Sequence, residues 1–139
     1  MATNSVSVII VTYKRNDLLE QCIRSFREAC GDIPEIVVVD NADDCEACAK
    51  AAAFSNTVYL SAPYNLGFAG GNNLGLNACR GDLVLLLNND TIIQENPIPA
   101  LLDYLDSHPE VAVVQGRLVL PLCGNTLDDC GTFITPLGQ

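Results

Sequence analysis

The sequence predicts an α/β domain, a mostly parallel sheet with helices on both faces. Short β-rich apolar runs alternate with amphipathic segments, and the connections are long enough for crossovers. The run Leu83 to Leu87 shows no alternation and is too short for a buried helix. That is how a central parallel strand reads when both of its faces are covered. This run and an earlier one, Ile36 to Val39, each stop abruptly in carboxylate and amide side chains. Open α/β sheets bind ligands at such strand ends.

Taken in order, Ser5 to Thr12 is β-rich and opens the sheet. Asn16-Asp17 offers a helix N-cap ahead of Leu18, Leu19, Cys22, Ile23 and Phe26, an amphipathic spacing that ends near Cys30-Gly31. Pro34 leads into Ile36-Val37-Val38-Val39, closed by Asp40-Asn41. Asp43-Asp44 caps an Ala-rich helix, roughly Cys45 to Phe54, and Thr57 to Leu60 is a short third strand. Ala62 to Gly67 is a loop. Phe68 to Cys79 reads as a Gly-rich turn feeding a helix that ends near Arg80-Gly81, and the central strand follows. Asn96, with Pro97 at the first helical position, starts a helix to about His108 with Leu101, Leu102 and Leu105 on its buried face. Val111 to Val114 and Arg117 to Leu120 read as two strands, or as one bent strand broken at Gly116. Cys123 to Gln139 has turn signals but little periodicity, and looks like the start of something the chain does not contain.

With 139 residues, 49% hydrophobic and 17% charged, the chain is globular and large enough for a sizeable core. A formal charge of −10 argues against nucleic acid as a partner and against docking on anionic lipid through basic patches. A phosphate-bearing ligand would need a local cation or a metal ion to overcome that field. No apolar run approaches a membrane span and no secretory signal is visible, so a cytoplasmic address is expected. The seven cysteines are then expected as reduced thiols, Cys45 and Cys48 included, with no second pair at zinc spacing.

Three strand ends carry polar groups: Thr12-Tyr13, Asp40-Asn41 and Asn88-Asn89-Asp90. In a parallel sheet they share one edge. Asp90 could hold a hard cation, or the triplet could bind hydroxyls, or it could simply be an Asx turn. Asp40 can accept from a nucleobase N–H or a ribose hydroxyl, and it can equally cap the next helix. The Gly-rich stretch 67–75 allows a ligand close to the main chain and precedes a helix N-terminus suited to a diphosphate. Gly70 and Gly71 could instead serve tight helix–sheet packing. Tyr13-Lys14-Arg15 follows the first strand where a dinucleotide fold would carry G-x-G-x-x-G, and the Walker pattern and a nucleophile elbow are absent. Lys14 and Arg15 are candidate phosphate contacts or solvated loop charges. His108, the only histidine, reads as a helix-end residue.

Four stretches in this order resemble glycosyltransferase family 2, in its rhamnosyltransferase-like branch. They are Val6-Ser7-Val8-Ile9-Ile10-Val11-Thr12-Tyr13, Val37-Val38-Val39-Asp40-Asn41, Asn65-Leu66-Gly67-Phe68-Ala69-Gly70-Gly71-Asn72-Asn73-x-Gly75 and Leu85-Leu86-Leu87-Asn88-Asn89-Asp90. The resemblance runs from residue 5 to about 120. It implies a GT-A fold, with a Rossmann-like nucleotide-sugar-binding domain at 1–120 and the incomplete start of an acceptor-side region at 121–139. It implies an inverting transferase that uses Mg²⁺ or Mn²⁺ and moves sugar from a UDP- or dTDP-linked donor to a glycan or lipid-linked acceptor. Cell-surface polysaccharide or glycan synthesis would be its setting, in the cytoplasm or peripherally at the inner face of the membrane.

By the same resemblance Thr12 and Tyr13 line the base pocket, and Asp40 binds base or ribose. The loop around Gly67, Gly71, Asn72 and Asn73 lies along the diphosphate and sugar. Asn88-Asn89-Asp90 stands for the family's D-x-D element, with Asp90 as the metal ligand and Asn88 in place of the first carboxylate. The family's base comes from a later acidic motif, and neither Asp128 nor Asp129 is marked as that residue. A truncated enzyme is therefore expected, with a donor-binding fragment and a non-catalytic interaction domain as the alternatives. An apolar surface left where a second half should dock predicts a homodimer or poor solubility.

Overall fold

The computed structural model describes residues 5–120 and the strand at 126–129. Its elements are β1 (Val6–Thr12), α1 (Asn16–Cys30), β2 (Glu35–Asp40), α2 (Cys45–Ala52), β3 (Thr57–Ser61), α3 (Gly67–Leu76), β4 (Leu83–Asn88), α4 (Ile98–Ser107), β5 (Leu118–Leu120) and β6 (Thr126–Asp129). The chain divides into two compact units, Met1–Asn96 and Pro97–Gln139. The second contains α4 and an antiparallel β5–β6 pair. The side chains of Asp128 and Asp129 lie outside the described residues.

In the first unit the four strands are all parallel, in the order β3-β2-β1-β4. The chain steps outward from β1 to β2 to β3, then α3 carries it back over the sheet to set β4 beside β1. The strand order therefore reverses at β1, and the crevice outside the carboxyl ends of β1 and β4 is where such sheets take ligands.

Alternation along the strands assigns the two faces. Ile9, Val37 and Val39 are fully buried with Leu74, Ala78 and Cys79 packed against them, so this face lies under α3. Val8, Ile10, Ile36 and Val38 point the other way and are equally buried, and α1 supplies the matching stripe of Leu19, Cys22, Ile23 and Phe26. β2 is buried at every position, as a strand with both faces covered must be.

Several elements differ from their sequence expectations. The run Leu83 to Leu87 is an edge strand of this sheet, not its centre. Leu85 and Leu87 pair with Val8 and Ile10 and share their face, whereas Val84 and Leu86 stand on the α3 side, 37% and 51% exposed. The reason is geometric: α3 lies over β1 and β2 and leaves that side of β4 bare. The Gly-rich stretch is no turn, since α3 begins at Gly67 and runs through it. A Cβ on Gly71 would stand 2.7 Å from Val11 Cγ1, and one on Gly75 would stand 2.8 Å from Ile9 Cγ2. These glycines bring helix and sheet together, and that packing overrides glycine's poor helix propensity. Val111 to Val114 forms no strand; Val113 is exposed. α1 starts at Asn16 itself, with Arg15 at the cap and no side-chain cap bond. The expected cap at Asp44 is present, its carboxylate accepting from the Glu46 amide at 2.9 Å.

Candidate functional site at the carboxyl edge

Parallel register brings the polar strand ends together. Thr12 pairs with Asp40 across β1 and β2, and Val11 pairs with Asn88 across β1 and β4. Thr12-Tyr13, Asp40-Asn41 and Asn88-Asn89-Asp90 thus lie along one edge. The buried Thr12 hydroxyl accepts from Asn89 Nδ2 at 3.1 Å, which ties the ends of β1 and β4 across the reversal point. Tyr13 is 46% exposed, with Lys14 Nζ 5.1 Å from its ring centroid. Lys14 takes a left-handed backbone (φ 56), so the chain turns sharply out of β1 before α1 starts.

Asp40 is wholly buried and fully engaged. Its Oδ1 accepts from the Ala42 amide at 2.8 Å, and its Oδ2 accepts from the Asp44 amide at 2.6 Å and the Tyr59 hydroxyl at 2.9 Å. Burial and the bond to Asp40 both push the Tyr59 hydroxyl up, so it stays protonated and donates. Asp40 therefore shapes the 41–44 loop from behind and presents no surface of its own. Asp44, held by Asn16 Nδ2 at 2.8 Å, carries the same support toward α1. The Asn16 amide bond and the Glu46 amide both lower the Asp44 carboxyl.

The start of α3 can be counted amide by amide. A helix leaves its first four N–H groups without intrahelical partners. Here the Leu66 amide donates to Asn41 Oδ1 at 3.2 Å and the Gly67 amide donates to Asn65 Oδ1 at 2.9 Å. No side chain caps the helix, so among the described residues the amides of Phe68 and Ala69 remain without a partner, at the positive end of its dipole. Phe68 and Tyr64 are exposed beside them in the chain. Asn72 is buried and spends its amide on the Phe68 carbonyl at 3.0 Å, while Asn73 is exposed one turn into the helix. Gly67 turns the chain into the helix at φ 69, and Gly71 faces Val11.

After Asn88 the chain turns, with the Thr91 amide donating to the Asn88 carbonyl at 3.1 Å. Asn88 and Asp90 are exposed, and the Asp90 carboxylate has no hydrogen bond or ion pair among the described residues. It lies close enough to matter to Cys22: burial pushes that thiol up to about 12, and the Asp90 charge adds to it.

Among the described residues no group of three His, Cys, Asp or Glu side chains could enclose a metal ion. One exposed carboxylate beside an exposed amide suits a different case, an Mg²⁺-like ion that arrives with phosphate oxygens and water. Asp90 and Asn88 would suit that ion, and among the described residues no protein-only cage is present to hold one alone. Sequence reasoning placed the strand ends correctly but missed Tyr59 and the two-ended role of Asn41. The spacing of Gly67, Gly71 and Gly75, one helical turn apart on a single face, was the available signal for α3.

The glycosyl transferase family 2 profile matches residues 7–126. The amylovoran biosynthesis glycosyltransferase AmsE of Erwinia amylovora is 31% identical over 120 residues, 82% of this chain and 45% of AmsE. Residues 1–349 of S. aureus TarS in complex with UDP superpose with a TM-score of 0.62 at 25% identity, over 76% of this chain and 33% of that one. The mannosyltransferase PcManGT of Pyrobaculum calidifontis, in complex with GDP-Man and Mn²⁺, gives a TM-score of 0.68 over 86% of this chain and 36% of that one; at 20% identity it speaks for the fold alone. This chain spans less than half the length of each of these relatives. With the parallel sheet, the reversal at β1 and the family profile in agreement, the chain belongs to glycosyl transferase family 2.

Proposed function

We propose that residues 1–120 form the nucleotide-sugar-binding part of an inverting glycosyltransferase. It moves sugar from a UDP- or dTDP-linked donor to a hydroxyl of a glycan or lipid-linked acceptor in polysaccharide synthesis. The family profile and the biosynthetic name of AmsE support that setting. A cytoplasmic place at the inner face of the membrane goes with this reading, and cell fractionation tests it.

One observation carries the proposal: Asp90 and the amides of Phe68 and Ala69, all without hydrogen-bond partners among the described residues, stand on the same sheet edge at the strand-order reversal. The amides and the α3 dipole hold phosphate oxygens, as helix N-termini do. Tyr13 offers an exposed ring for the base. Asp40 keeps the 41–44 loop in shape, and Asn89 fixes the β1–β4 spacing through Thr12. A divalent ion held by Asp90 and Asn88 would neutralise the leaving diphosphate. The acceptor hydroxyl must also lose a proton to a base, and none of the described residues is assigned that role.

Calorimetry on the 139-residue chain with UDP and dTDP, with and without Mn²⁺, tests the donor site. Binding of either nucleotide that strengthens with Mn²⁺ is the expected result. A folded sample that binds neither overturns the reading.

A further inference from the structure

The side chain of Asn41 joins the sheet to α3, and we infer that Asn41 is the residue that positions the phosphate-binding amides of that helix. This rests on the reading that a nucleoside diphosphate occupies the carboxyl edge. Asn41 follows β2, is 5% exposed, and is pinned by its own amide, which donates to the Thr12 carbonyl at 3.0 Å. Both ends of its side chain then reach the chain where α3 starts. Oδ1 accepts from the Leu66 amide at 3.2 Å and Nδ2 donates to the Gly67 carbonyl at 3.1 Å. One end must accept and the other must donate, so an amide suits the place and a carboxylate does not.

The neighbouring glycines belong to the same device. Gly67 sits at φ 69, where L side chains are strained, so the clamp grips the chain where it turns into the helix. A Cβ on Gly71 would stand 3.4 Å from Asn41 Nδ2 and 2.7 Å from Val11 Cγ1, so a bare Gly71 lets α3 lie within the reach of Asn41. Of the four leading amides, those of Phe68 and Ala69 have no partner among the described residues, and the grip one residue earlier sets their direction. Loosening the grip should weaken contacts to the diphosphate and leave contacts to base and ribose alone.

The test titrates the full chain with UDP and with uridine, and in parallel with dTDP and thymidine, following affinity by NMR. In Asn41→Ala the diphosphate of whichever pair binds the wild type is expected to bind about ten-fold more weakly, with its nucleoside unchanged. Asn41→Ser, which keeps one hydroxyl but cannot span both partners, should fall between. Because Asn41 is buried, the wild-type chain supplies a second readout: the diphosphate, and not the nucleoside, should slow amide exchange at Phe68 and Ala69. Equal losses for diphosphate and nucleoside in Asn41→Ala overturn the role of Asn41 and leave the donor site standing; no diphosphate-specific protection at Phe68 and Ala69 overturns the role of Asn41 and the phosphate contacts of α3 together. A wild-type chain that binds neither diphosphate overturns the donor site and this inference together.

Discussion

The two ends of the parallel sheet each hold a buried carboxylate, and they use it differently. At the amino end Glu35 accepts from the Ser7 hydroxyl at 2.7 Å and the Arg80 amide at 3.0 Å, and it pairs with the Arg80 guanidinium, Nε at 2.6 Å. Arg27 finishes that end: its guanidinium donates to the carbonyls of Gly31, Pro34, Ser55 and Asn56, clasping the connections into β2 and β3. Gly81 fits because a Cβ there would stand 2.5 Å from the Ser7 amide. At the carboxyl end Asp40 is just as engaged, but only by amides and Tyr59, with no cation. On the same edge Asp90 and two α3 amides have no hydrogen-bond partner among the described residues. The amino end ties its charged groups to one another, whereas the carboxyl end, among the described residues, leaves a carboxylate and two amides without a partner.

The largest effect expected from breaking this contrast is Asp40→Ala, which empties a buried position and leaves two half-buried amides and the Tyr59 hydroxyl without their acceptor. A loss of roughly 3–5 kcal/mol in urea unfolding is expected. Unchanged stability would mean that Asp40 serves a ligand and not the loop. Next comes Glu35→Gln, which removes the charge facing Arg80 and should cost about 1–3 kcal/mol while leaving nucleotide affinity as it was. A matching loss of affinity would erase the distinction between the two ends.

Acid should reveal the same closure. Burial alone would raise the Glu35 carboxyl, but the bonds from Ser7 and Arg80 outweigh it and hold it below its ordinary value. A carboxyl lowered by folding lends stability that is full above its unfolded value and is lost as pH falls through the lowered one. The urea midpoint should therefore drop below about pH 4.3, and Glu35→Gln should flatten that drop. The smallest stability effect belongs to Asp90→Ala, expected within about 0.5 kcal/mol because the side chain is exposed and has no partner among the described residues.

How far the sequence announced this arrangement depended on whether the cause was local. β2 was readable because a strand buried on both faces has to be apolar throughout. β4 carries the same signature, yet it sits at the edge, since an apolar run tells what a strand tolerates and not which neighbours it has. Strand order depends on where α3 crosses, and α3 was masked by its glycines: Gly70-Gly71 suggests a turn until Val11 and Ile9 are known to press on that face. The polar strand ends were readable as a set. What each one does was less so, because the partner of Asp40, Tyr59, lies on another strand and enters only through register. Asn41 looked like half of a strand-end pair, and its clamp on Leu66 and Gly67 appears only once α3 lies against the sheet.

The most direct test of the open carboxyl end is UDP and dTDP affinity with and without Mn²⁺, measured for the wild type and for Asp90→Ala. The account predicts that Mn²⁺ tightens binding to the wild type and does nothing for the variant, while both unfold at nearly the same urea concentration. Equal tightening by Mn²⁺ in both proteins would contradict it.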